Sequence, residues 1–354
     1  MIDRAEEMLS QLVLLRSTSE DPAGPMVDHV ASVLKGMGLK PRLYGDKAHP
    51  AIVAQHMSGG VMLSGHLDTV PFGTGWRREQ AEVVSGVMYG RGTCDMKGGC
   101  TAMLLTAEQL VDKKVPFSLV FTLDEETTMD GAGAAAKDRA VTEAPAVLIT
   151  EPSRFEIVVK EKGLLHFTLS TKGKSAHASM PHLGDNAISK MTKLLSRIED
   201  LQRIPAEPLD EMTLCVDTIK GGTRINVIPA DCEVEIDVRY PPRMNTQSVL
   251  KLVRDRMGPN GYEIKILHEL DPVETDPKST PVRVLKETVG RSAKVVSVPY
   301  ATEMVMFKAG NPVQMVCGPG DPKLAHVIDE HIRISDVVKA TELYVKYCTR
   351  MAPK

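Results

Sequence analysis

Residues 61–68, VMLSGHLD, join a short apolar run directly to a histidine and an aspartate. An apolar run of this length is typical of a strand that is covered on both faces of a sheet. Polar side chains begin where the run ends, so His66 and Asp68 are placed at the carboxyl end of the predicted strand. Ligands of open α/β sheets bind outside the carboxyl ends of the strands, which makes this pair a candidate site.

Three further apolar runs have the same arrangement. SLVFTL (118–123) precedes Asp124-Glu125-Glu126, AVLIT (146–150) precedes Glu151, and VQMVCGPG (313–320) leads through a short loop to His326. A helical pattern at 98–111 separates the first two runs of the chain. The loop GRGTCDMKGG (90–99) carries Asp95 among glycines, which let a backbone approach a ligand closely. This alternation predicts an α/β domain with a central, mostly parallel sheet and one cleft at the four strand ends.

The middle of the chain has a different pattern. Strands are predicted at 164–170, 213–219, 232–238 and 262–267, and helices at 186–201 and 246–257. The order β-α-β-β-α-β is that of a ferredoxin-like α+β unit. We therefore predict an inserted domain at 162–270 and a catalytic domain formed by 1–161 together with 271–354. The proline-rich segment 205–208 is predicted to be a connector.

Composition is that of an ordinary globular protein. The 354 residues exceed the usual span of one hydrophobic core, and Lys+Arg 43 against Asp+Glu 46 gives a net charge of −3. This balance does not indicate nucleic-acid binding. The chain shows neither a signal-peptide pattern nor an apolar run near the roughly 18 residues that would span a bilayer. The scattered cysteines contain no C-x-x-C pair, so we expect a protein of the reducing cytoplasm.

The acids and histidines at the strand ends favour a metal site. Two imidazoles and several carboxylates, without a required thiolate, suit zinc, cobalt or manganese. The five clustered carboxylates would repel one another unless one or two divalent cations neutralised them. They belong to Asp68, Asp95, Glu125, Glu126 and Glu151.

Spacing within two of these motifs suggests separate roles. Asp68 lies two residues after His66, where a carboxylate can fix the tautomer of an imidazole on the same face. Glu125 and Glu126 are adjacent and point apart. One of them can therefore bind a metal while the other remains free as a base.

A dinucleotide-binding module is an alternative from another class. GAGAAA (131–136) matches G-x-G-x-x-A, and Glu151 follows Gly131 at the distance expected of a ribose-binding acid. However, the acidic segment DEETTMD (124–130) occupies the place where a tight turn should deliver a pyrophosphate to a helix N-terminus. We therefore interpret 131–137 as the start of a helix packed closely on the sheet.

Six ordered motifs resemble those of the M20 metallopeptidase and amidohydrolase family. They are SGHLDTVP (64–71), GRGTCDMKGG (90–99), DEE (124–126), TEPS (150–153), GKSAHAS (173–179) and GPGDPKLAHVIDEHI (318–332). The family includes acetylornithine deacetylase, succinyl-diaminopimelate desuccinylase, aminoacylase and glutamate-releasing carboxypeptidases. The resemblance implies a zinc-dependent exopeptidase-like catalytic domain with an inserted ferredoxin-like lid that often mediates dimerisation. One departure is TTMD (127–130), where many relatives have a glycine-rich continuation.

The resemblance also implies roles for the residues of the catalytic domain. Two divalent cations are expected, most simply Zn²⁺, with Co²⁺ or Mn²⁺ as alternatives. His66, Asp95 and Glu151 would hold the first, and Asp95, Glu126 and His326 the second, so that Asp95 bridges them. Asp68 would orient His66, and Glu125 would be the general base and acid.

Three residues of the inserted domain match further family positions. His177 would reach the active site of the partner subunit in a homodimer and help to hold an oxyanion. Asn226 in GGTRINVIP and Arg239 in DVRYPP would contact the substrate or its carboxylate. These two shorter motifs carry over less specifically than the other six.

The expected activity is hydrolysis of the amide bond of an N-acyl amino acid, of the deacetylase or desuccinylase type. A metallo-dipeptidase or carboxypeptidase of the same family would differ in leaving group and not in catalyst, so the motifs do not separate the two. A metal-binding protein that has lost catalysis is a third reading, opposed by the intact Glu125 and His177. We expect small-molecule or short-peptide substrates, no nucleic-acid or membrane partner, and a homodimer formed through the inserted domain.

Overall fold

The structure, a computed structural model, describes residues 1–202 and 210–353. The predicted connector 205–208 lies outside the described residues. The helices are α1 Ile2–Leu14, α2 Gly24–Gly36, α3 Gly98–Asp112, α4 Asp130–Ala135, α5 Arg139–Thr142, α6 Ala187–Ile198, α7 Thr246–Met257, α8 Thr280–Val289, α9 Met304–Phe307 and α10 Ile334–Met351. The strands are β1 Arg42–Tyr44, β2 Ala51–His56, β3 Val61–His66, β4 Glu82–Val84, β5 Val87–Tyr89, β6 Phe117–Thr122, β7 Val147–Pro152, β8 Ile157–Glu161, β9 Gly163–Lys172, β10 Thr213–Gly221, β11 Asp231–Tyr240, β12 Glu263–Leu270, β13 Val273–Glu274, β14 Val295–Val298, β15 Gln314–Gly318 and β16 His331–Arg333.

The chain separates into two compact units. The first comprises Met1–Val159, Thr275–Val296 and Thr302–Lys354, and the second comprises Lys160–Glu274 and Ser297–Ala301. Each unit has a hydrophobic core of its own. The short piece Ser297–Ala301 belongs to the second unit although it is distant in sequence, an assignment that the sequence patterns do not predict.

The first unit is built on a sheet with the strand order β1-β2-β6-β3-β7-β15-β8. Its central strands are parallel, since β3 pairs with β6 and β7, and β7 pairs with β15. Every residue of these four strands is buried, which explains their continuous apolar runs. The predicted α/β class with a mostly parallel central sheet is confirmed. The antiparallel strands β1 and β2, which the sequence patterns did not identify, extend one edge.

Helix α3 packs tightly against the strands that end at the candidate site. All of its residues from Gly98 to Ala107 are buried, and it contacts both β3 and β7. A Cβ atom on Gly99 would lie only 2.3 Å from the carbonyl oxygen of Thr150. Glycine is therefore required at the start of α3, because this close approach brings the Asp95 loop beside the carboxyl ends of the two strands.

Helix α4 starts where the sequence analysis placed a helix in preference to a nucleotide-binding turn. The backbone N–H of Gly131 donates to both oxygens of the Asp124 carboxylate, at 3.2 and 3.0 Å. A Cβ on Gly131 would lie 2.7 Å from Oδ1 of Asp124. The start of this helix is therefore occupied by a carboxylate of the same chain, and the packing matches the predicted close contact with the sheet.

The second unit has the predicted order of elements, β9-α6-β10-β11-α7-β12. Its sheet is antiparallel with the strand order β10-β11-β9-β12, which is that of a ferredoxin-like unit. Strand β11 buries alternate residues, so one face of the sheet packs against the core that includes α6 and α7. The side chains of Asn186 and Asn245 cap these helices by accepting from the backbone N–H groups of Ser189 and Ser248.

A small sheet with the order β16-β5-β4 completes the first unit. Strand β16 follows the loop that carries His326, and its pairing with β5 fixes the far end of that loop. None of the described helices is both long enough and apolar enough to cross a membrane.

Candidate metal centre

Seven of the ten predicted site residues meet in the first unit. His66 ends β3, Glu151 lies near the end of β7, and Asp95 lies in the segment Thr93–Lys97 before α3, where its own backbone is extended and not helical. Glu125 and Glu126 follow β6, while His326 lies between β15 and β16. Asp68, the seventh residue, follows β3 by two positions.

The first group of potential ligands is buried. His66 Nε2 lies 3.1 Å from Oδ1 of Asp95 and 3.2 Å from Oε1 of Glu151. The ligand atoms of these three residues all lie within 4.8 Å of one another. The imidazole of His66 is only 1% exposed, so its position is set by the surrounding strands and not by solvent.

The second group shares Asp95 with the first. His326 Nε2 lies 3.3 Å from Oδ2 of Asp95 and 3.0 Å from Oε1 of Glu126. Asp95 therefore directs one carboxylate oxygen at each histidine. The side chain of His326 is 52% exposed, which leaves this group open on the side of the loop that carries it.

Asp68 makes hydrogen bonds both to His66 at the end of β3 and to the loop after β6 that carries Glu125 and Glu126. Its carboxylate accepts the backbone N–H of Glu125 at 3.2 Å and that of Glu126 at 3.0 Å. Its carbonyl oxygen accepts from Nδ1 of His66 at 3.0 Å, whereas the Asp68 carboxylate is 3.5 Å from the same atom. Because a carbonyl can only accept, Nδ1 carries the hydrogen and Nε2 faces the carboxylate cluster. The sequence analysis expected the carboxylate of Asp68 to contact the imidazole, whereas the carbonyl oxygen makes the shorter contact. It did not predict the hydrogen bonds from Asp68 to the Glu125 loop.

Glu125 lies at the edge of the cluster. Its nearest approach to His66 is 4.0 Å, between Oε2 and Nε2, which is longer than the contacts made by Asp95 and Glu151. Burial raises the pKa of Glu125 well above its usual range, and the carboxylates of Glu151 and Glu126 raise it further. A carboxyl group with a raised pKa suits a residue that accepts and returns a proton near neutral pH.

The carboxylates of the cluster favour positive charge. Burial raises the pKa of Glu151 to about 8, with the Asp95 carboxylate adding to the effect. Hydrogen bonds to Asp95 and Glu126 raise the pKa of His326 to about 10. Burial alone would lower the pKa of His66, but the surrounding carboxylates raise it well above its usual value. The centre therefore holds protons tightly, and a divalent cation would compete for the same atoms.

The donor set fits a divalent metal of borderline hardness. Among the described residues, each group of potential ligands combines one imidazole with two carboxylates and contains no thiolate. Cys94 is the nearest cysteine in sequence, but its thiol donates to the carbonyl of Asp321 and burial raises its pKa. Imidazole and carboxylate ligands are those that zinc, cobalt and manganese accept, so the residues present fit such ions.

A further cluster contains His49, Asp124 and Asp130. The carboxylate of Asp124 is already used by Gly131 and by the hydroxyl of Thr128 at 3.1 Å. This cluster therefore serves the start of α4.

The other three predicted site residues belong to the second unit. The segments of His177 and Asn226 lie side by side, since the N–H of Ala178 donates to the carbonyl of Asn226 at 3.0 Å. His177 is exposed, and its Nδ1 is 2.8 Å from the hydroxyl of Ser179. Arg239 donates from Nε and Nη2 to Asp237, at 2.9 and 2.8 Å.

Two buried residues near the ligands were not identified from the sequence. Oε1 of Glu330 accepts the backbone N–H groups of Cys94 and Asp95, at 2.9 and 3.0 Å, and Oε2 accepts from Arg91 at 2.6 Å. Both residues lie inside motifs used to recognise the family, GRGTCDMKGG and GPGDPKLAHVIDEHI, next to the predicted ligands. Their pairing could not be read from the sequence because it depends on how two distant loops meet.

Comparison with known proteins places this geometry in a family. Residues 62–350 match the model of peptidase family M20/M25/M40. Acetylornithine deacetylase from Myxococcus xanthus is 29% identical over 360 residues, covering 94% of this chain and 93% of the relative. The same enzyme from Proteus mirabilis is 32% identical over 308 residues, covering 81% of this chain and 78% of the relative.

Solved structures share the fold. An M20 family metallo-carboxypeptidase from Sulfolobus solfataricus superposes with a TM-score of 0.81 at 21% identity, covering 98% of this chain and 99% of the other. Aminopeptidase PepT from Bacillus cereus has a TM-score of 0.81 at 18% identity, covering 99% of both chains. The resemblance read from the ordered motifs is confirmed: the protein belongs to peptidase family M20/M25/M40 and is a metal-dependent hydrolase.

Proposed function

We propose that the protein hydrolyses the amide bond of an N-acyl amino acid with two divalent cations, most simply zinc, held by the two groups that share Asp95. The observation that carries this proposal is the geometry of Asp95, whose Oδ1 lies 3.1 Å from His66 and whose Oδ2 lies 3.3 Å from His326. His66, Asp95 and Glu151 would hold one ion, and Asp95, Glu126 and His326 the other.

The bound cations would supply Lewis-acid chemistry, lowering the pKa of water from ~15.7 toward ~7 and polarising the substrate carbonyl. Glu125 would accept the proton of the attacking water and return it to the leaving amine. Asp68 would keep Glu125 in place through the backbone hydrogen bond at 3.2 Å. The buried Nδ1 contact of His66 would keep Nε2 directed at the centre.

An acyl amino acid is favoured over a peptide by the relatives of known activity. The two deacetylases quoted above are 29% and 32% identical to this chain and align with most of its length. The substrate carboxylate would be bound by Arg239, as the motif DVRYPP implies. Since Nε and one hydrogen of Nη2 face Asp237, the carboxylate would approach the end of the guanidinium, through Nη1 and the remaining Nη2 hydrogen.

We also propose that the second unit supplies His177 to the active site of a partner subunit, where it would help to hold the oxyanion. The exposure of His177 is compatible with a contact outside its own chain. Asn226, on the adjacent segment, would contact the same substrate.

The experiment that tests the activity is an amine-release assay on metal-free protein and on protein reconstituted with Zn²⁺ or Co²⁺. N-acetyl and N-succinyl amino acids would be compared with dipeptides that carry a free carboxylate. We expect turnover of an acyl amino acid that depends on added metal. Faster turnover of dipeptides would assign the protein to the dipeptidase or carboxypeptidase class, and metal binding without turnover of any substrate would identify a protein that has lost catalysis.

A further inference from the structure

We infer that the buried pair Arg91 and Glu330 is a positioning device that sets the separation of Asp95 and His326, and thereby the affinity of the cation site that these two ligands share. Among the described residues, neither Arg91 nor Glu330 has a hydrogen bond or ion pair to the side chain of a predicted ligand. The inference rests on the proposed two-cation centre and adds to it the residues that determine its more exposed half.

Glu330 fixes the loop that carries Asp95. Its side chain is 1% exposed, and its Oε1 accepts the backbone N–H groups of Cys94 and Asp95 at 2.9 and 3.0 Å. Hydrogen bonds from two successive N–H groups to one carboxylate oxygen define both the position and the orientation of this piece of backbone. Glu330 thus positions the Asp95 carboxylate indirectly, by fixing the main chain to which that side chain is attached.

Arg91 fixes the loop that carries His326. Its guanidinium is 3% exposed, donates to the carbonyl oxygen of Val327 at 3.3 Å and reaches that of His326 at 3.5 Å. It also lies over the ring of Trp76, 5.4 Å from the centroid. His326 has a φ of +63°, a left-handed conformation that a residue with a side chain keeps only when its surroundings hold it.

One ion pair joins these two supports. Nη1 of Arg91 donates to Oε2 of Glu330 at 2.6 Å, so the Asp95 loop and the His326 loop are attached to the same buried unit. The backbone N–H of Gly90 also donates to the carbonyl of Glu330, at 2.9 Å. A shift of either partner would change the distance between Oδ2 of Asp95 and Nε2 of His326, which is 3.3 Å here.

The two cation sites should respond differently to loss of this pair. The site of His66 and Glu151 takes both of those ligands from the fully buried strands β3 and β7. The site of Asp95, Glu126 and His326 takes all its ligands from loops and turns. Removal of the ion pair should therefore weaken the second cation much more than the first, because residues that orient ligands typically change metal affinity by about 10- to 100-fold.

The test is a Co²⁺ titration of the metal-free full chain, followed by visible absorption and equilibrium dialysis. The wild-type protein should bind two ions. In Glu330→Gln, the single amide oxygen can accept either from the backbone N–H groups or from Arg91, and the NH₂ group then faces the other donor. We expect the second dissociation constant to rise at least ~10-fold and the first by less than ~3-fold. Arg91→Lys, which keeps the positive charge, should lose less affinity at the second site than Arg91→Met.

A matched control separates positioning from general destabilisation. Asp138 is also buried, also pairs with an arginine, Arg42 at 2.7 Å, and also accepts a backbone N–H, that of Ala140, but it contacts none of the ligands. Asp138→Asn should leave both dissociation constants within ~2-fold of the wild-type values.

Because a single change leaves one buried charge unpaired, Glu330→Gln could fail to fold. The double variant Arg91→Met with Glu330→Met removes both charges together, which proteins tolerate far better, and is judged by the same criterion. Equal changes at both sites, or no change at either, in whichever of these variants folds would overturn the inference. A wild-type protein that binds two ions but hydrolyses none of the tested amides would contradict the proposed function alone. A wild-type protein that binds no second ion would overturn both the proposed function and this inference.

Discussion

The carboxylate of Asp68 accepts the backbone N–H of Glu126 at 3.0 Å, while the carbonyl oxygen of the same residue accepts from Nδ1 of His66 at 3.0 Å. Asp68 therefore connects the end of β3 with the loop after β6. His66 and Glu126 belong to different groups of potential ligands, so Asp68 links the two groups. Asp95 also links them, but through its two carboxylate oxygens, which face His66 and His326.

Replacement of Asp68 should affect catalysis more than folding. In Asp68→Ala the N–H groups of Glu125 and Glu126 lose their acceptor, so we expect kcat to fall by roughly 10- to 100-fold, as for other residues that orient metal ligands. The carbonyl contact to His66 remains, so the first ion should still bind. Steady-state kinetics and metal analysis check this, with Asp68→Asn, which keeps one acceptor oxygen, as the intermediate case. Unchanged kcat in Asp68→Ala would exclude this role.

The base assignment is tested by Glu125→Gln. The substitution preserves the size of the side chain but removes its ability to accept a proton, so kcat should fall by ~10²- to 10⁴-fold. The number of bound ions should stay at two, because Glu125 lies outside the two groups that share Asp95. Glu143→Gln is the control, since Glu143 pairs on the surface with Arg139. If Glu125→Gln kept nearly full turnover, another group would have to be the base.

Metal affinity should rise with pH. Below its pKa a ligand is protonated, so a cation must displace the proton; above the pKa that competition disappears. The pKa of Glu151 is raised to about 8 and that of His326 to about 10. Affinity should therefore increase from pH 6 to pH 8, with proton release measurable by calorimetry in buffers of different ionisation enthalpy. Glu151→Gln should release about one proton fewer at the first site. Affinity that does not depend on pH across this range would contradict the raised pKa values.

Gly99 should be sensitive to a single added methyl group. Gly99→Ala places a Cβ 2.3 Å from the carbonyl oxygen of Thr150, so α3 must shift away from β7, at a cost of about 1–3 kcal/mol in the free energy of unfolding. Gly36→Ala is the matched control, because Gly36 ends α2 with no atom within 4 Å of the added Cβ. That change should be neutral or stabilising by up to about 1 kcal/mol. Chemical denaturation of both variants decides; similar midpoints would show that α3 does not depend on this contact.

The proposed exchange of His177 between subunits predicts complementation. Glu125→Gln and His177→Ala should each be inactive alone, but a mixture should regain part of the activity, because some dimers contain one site with both native residues. Subunit exchange is verified beforehand with differently labelled chains. No recovery after exchange would mean that each active site is complete within one chain, and a monomer at every concentration in sedimentation would exclude the dimer.

Much of the architecture follows from local patterns. Fully buried parallel strands read as continuous apolar runs, so β3, β6, β7 and β15 could be placed from the sequence. The helix predicted at 246–257 is α7, Thr246–Met257. Strands β1 and β2 were missed because a short edge strand and its neighbour carry no distinctive period, and β4, β5 and β16 are only three residues long.

The sequence by itself determined which residues are candidates for binding a cation or moving a proton, because this choice depends on side-chain chemistry and on positions at the ends of apolar runs. It also determined the order of helices and strands in the second unit, since periodicity is a local property. The family resemblance implied that Asp95 is shared between the two groups, but the distances from its two oxygens to His66 and His326 come from the tertiary structure. Only the tertiary structure decided that Asp68 accepts from the Glu125 loop and that Arg91 meets Glu330 across 239 positions of chain. These relationships depend on how distant loops pack, and hydrogen-bond distances between them are fixed by the sheet and by helix α3, not by any local pattern.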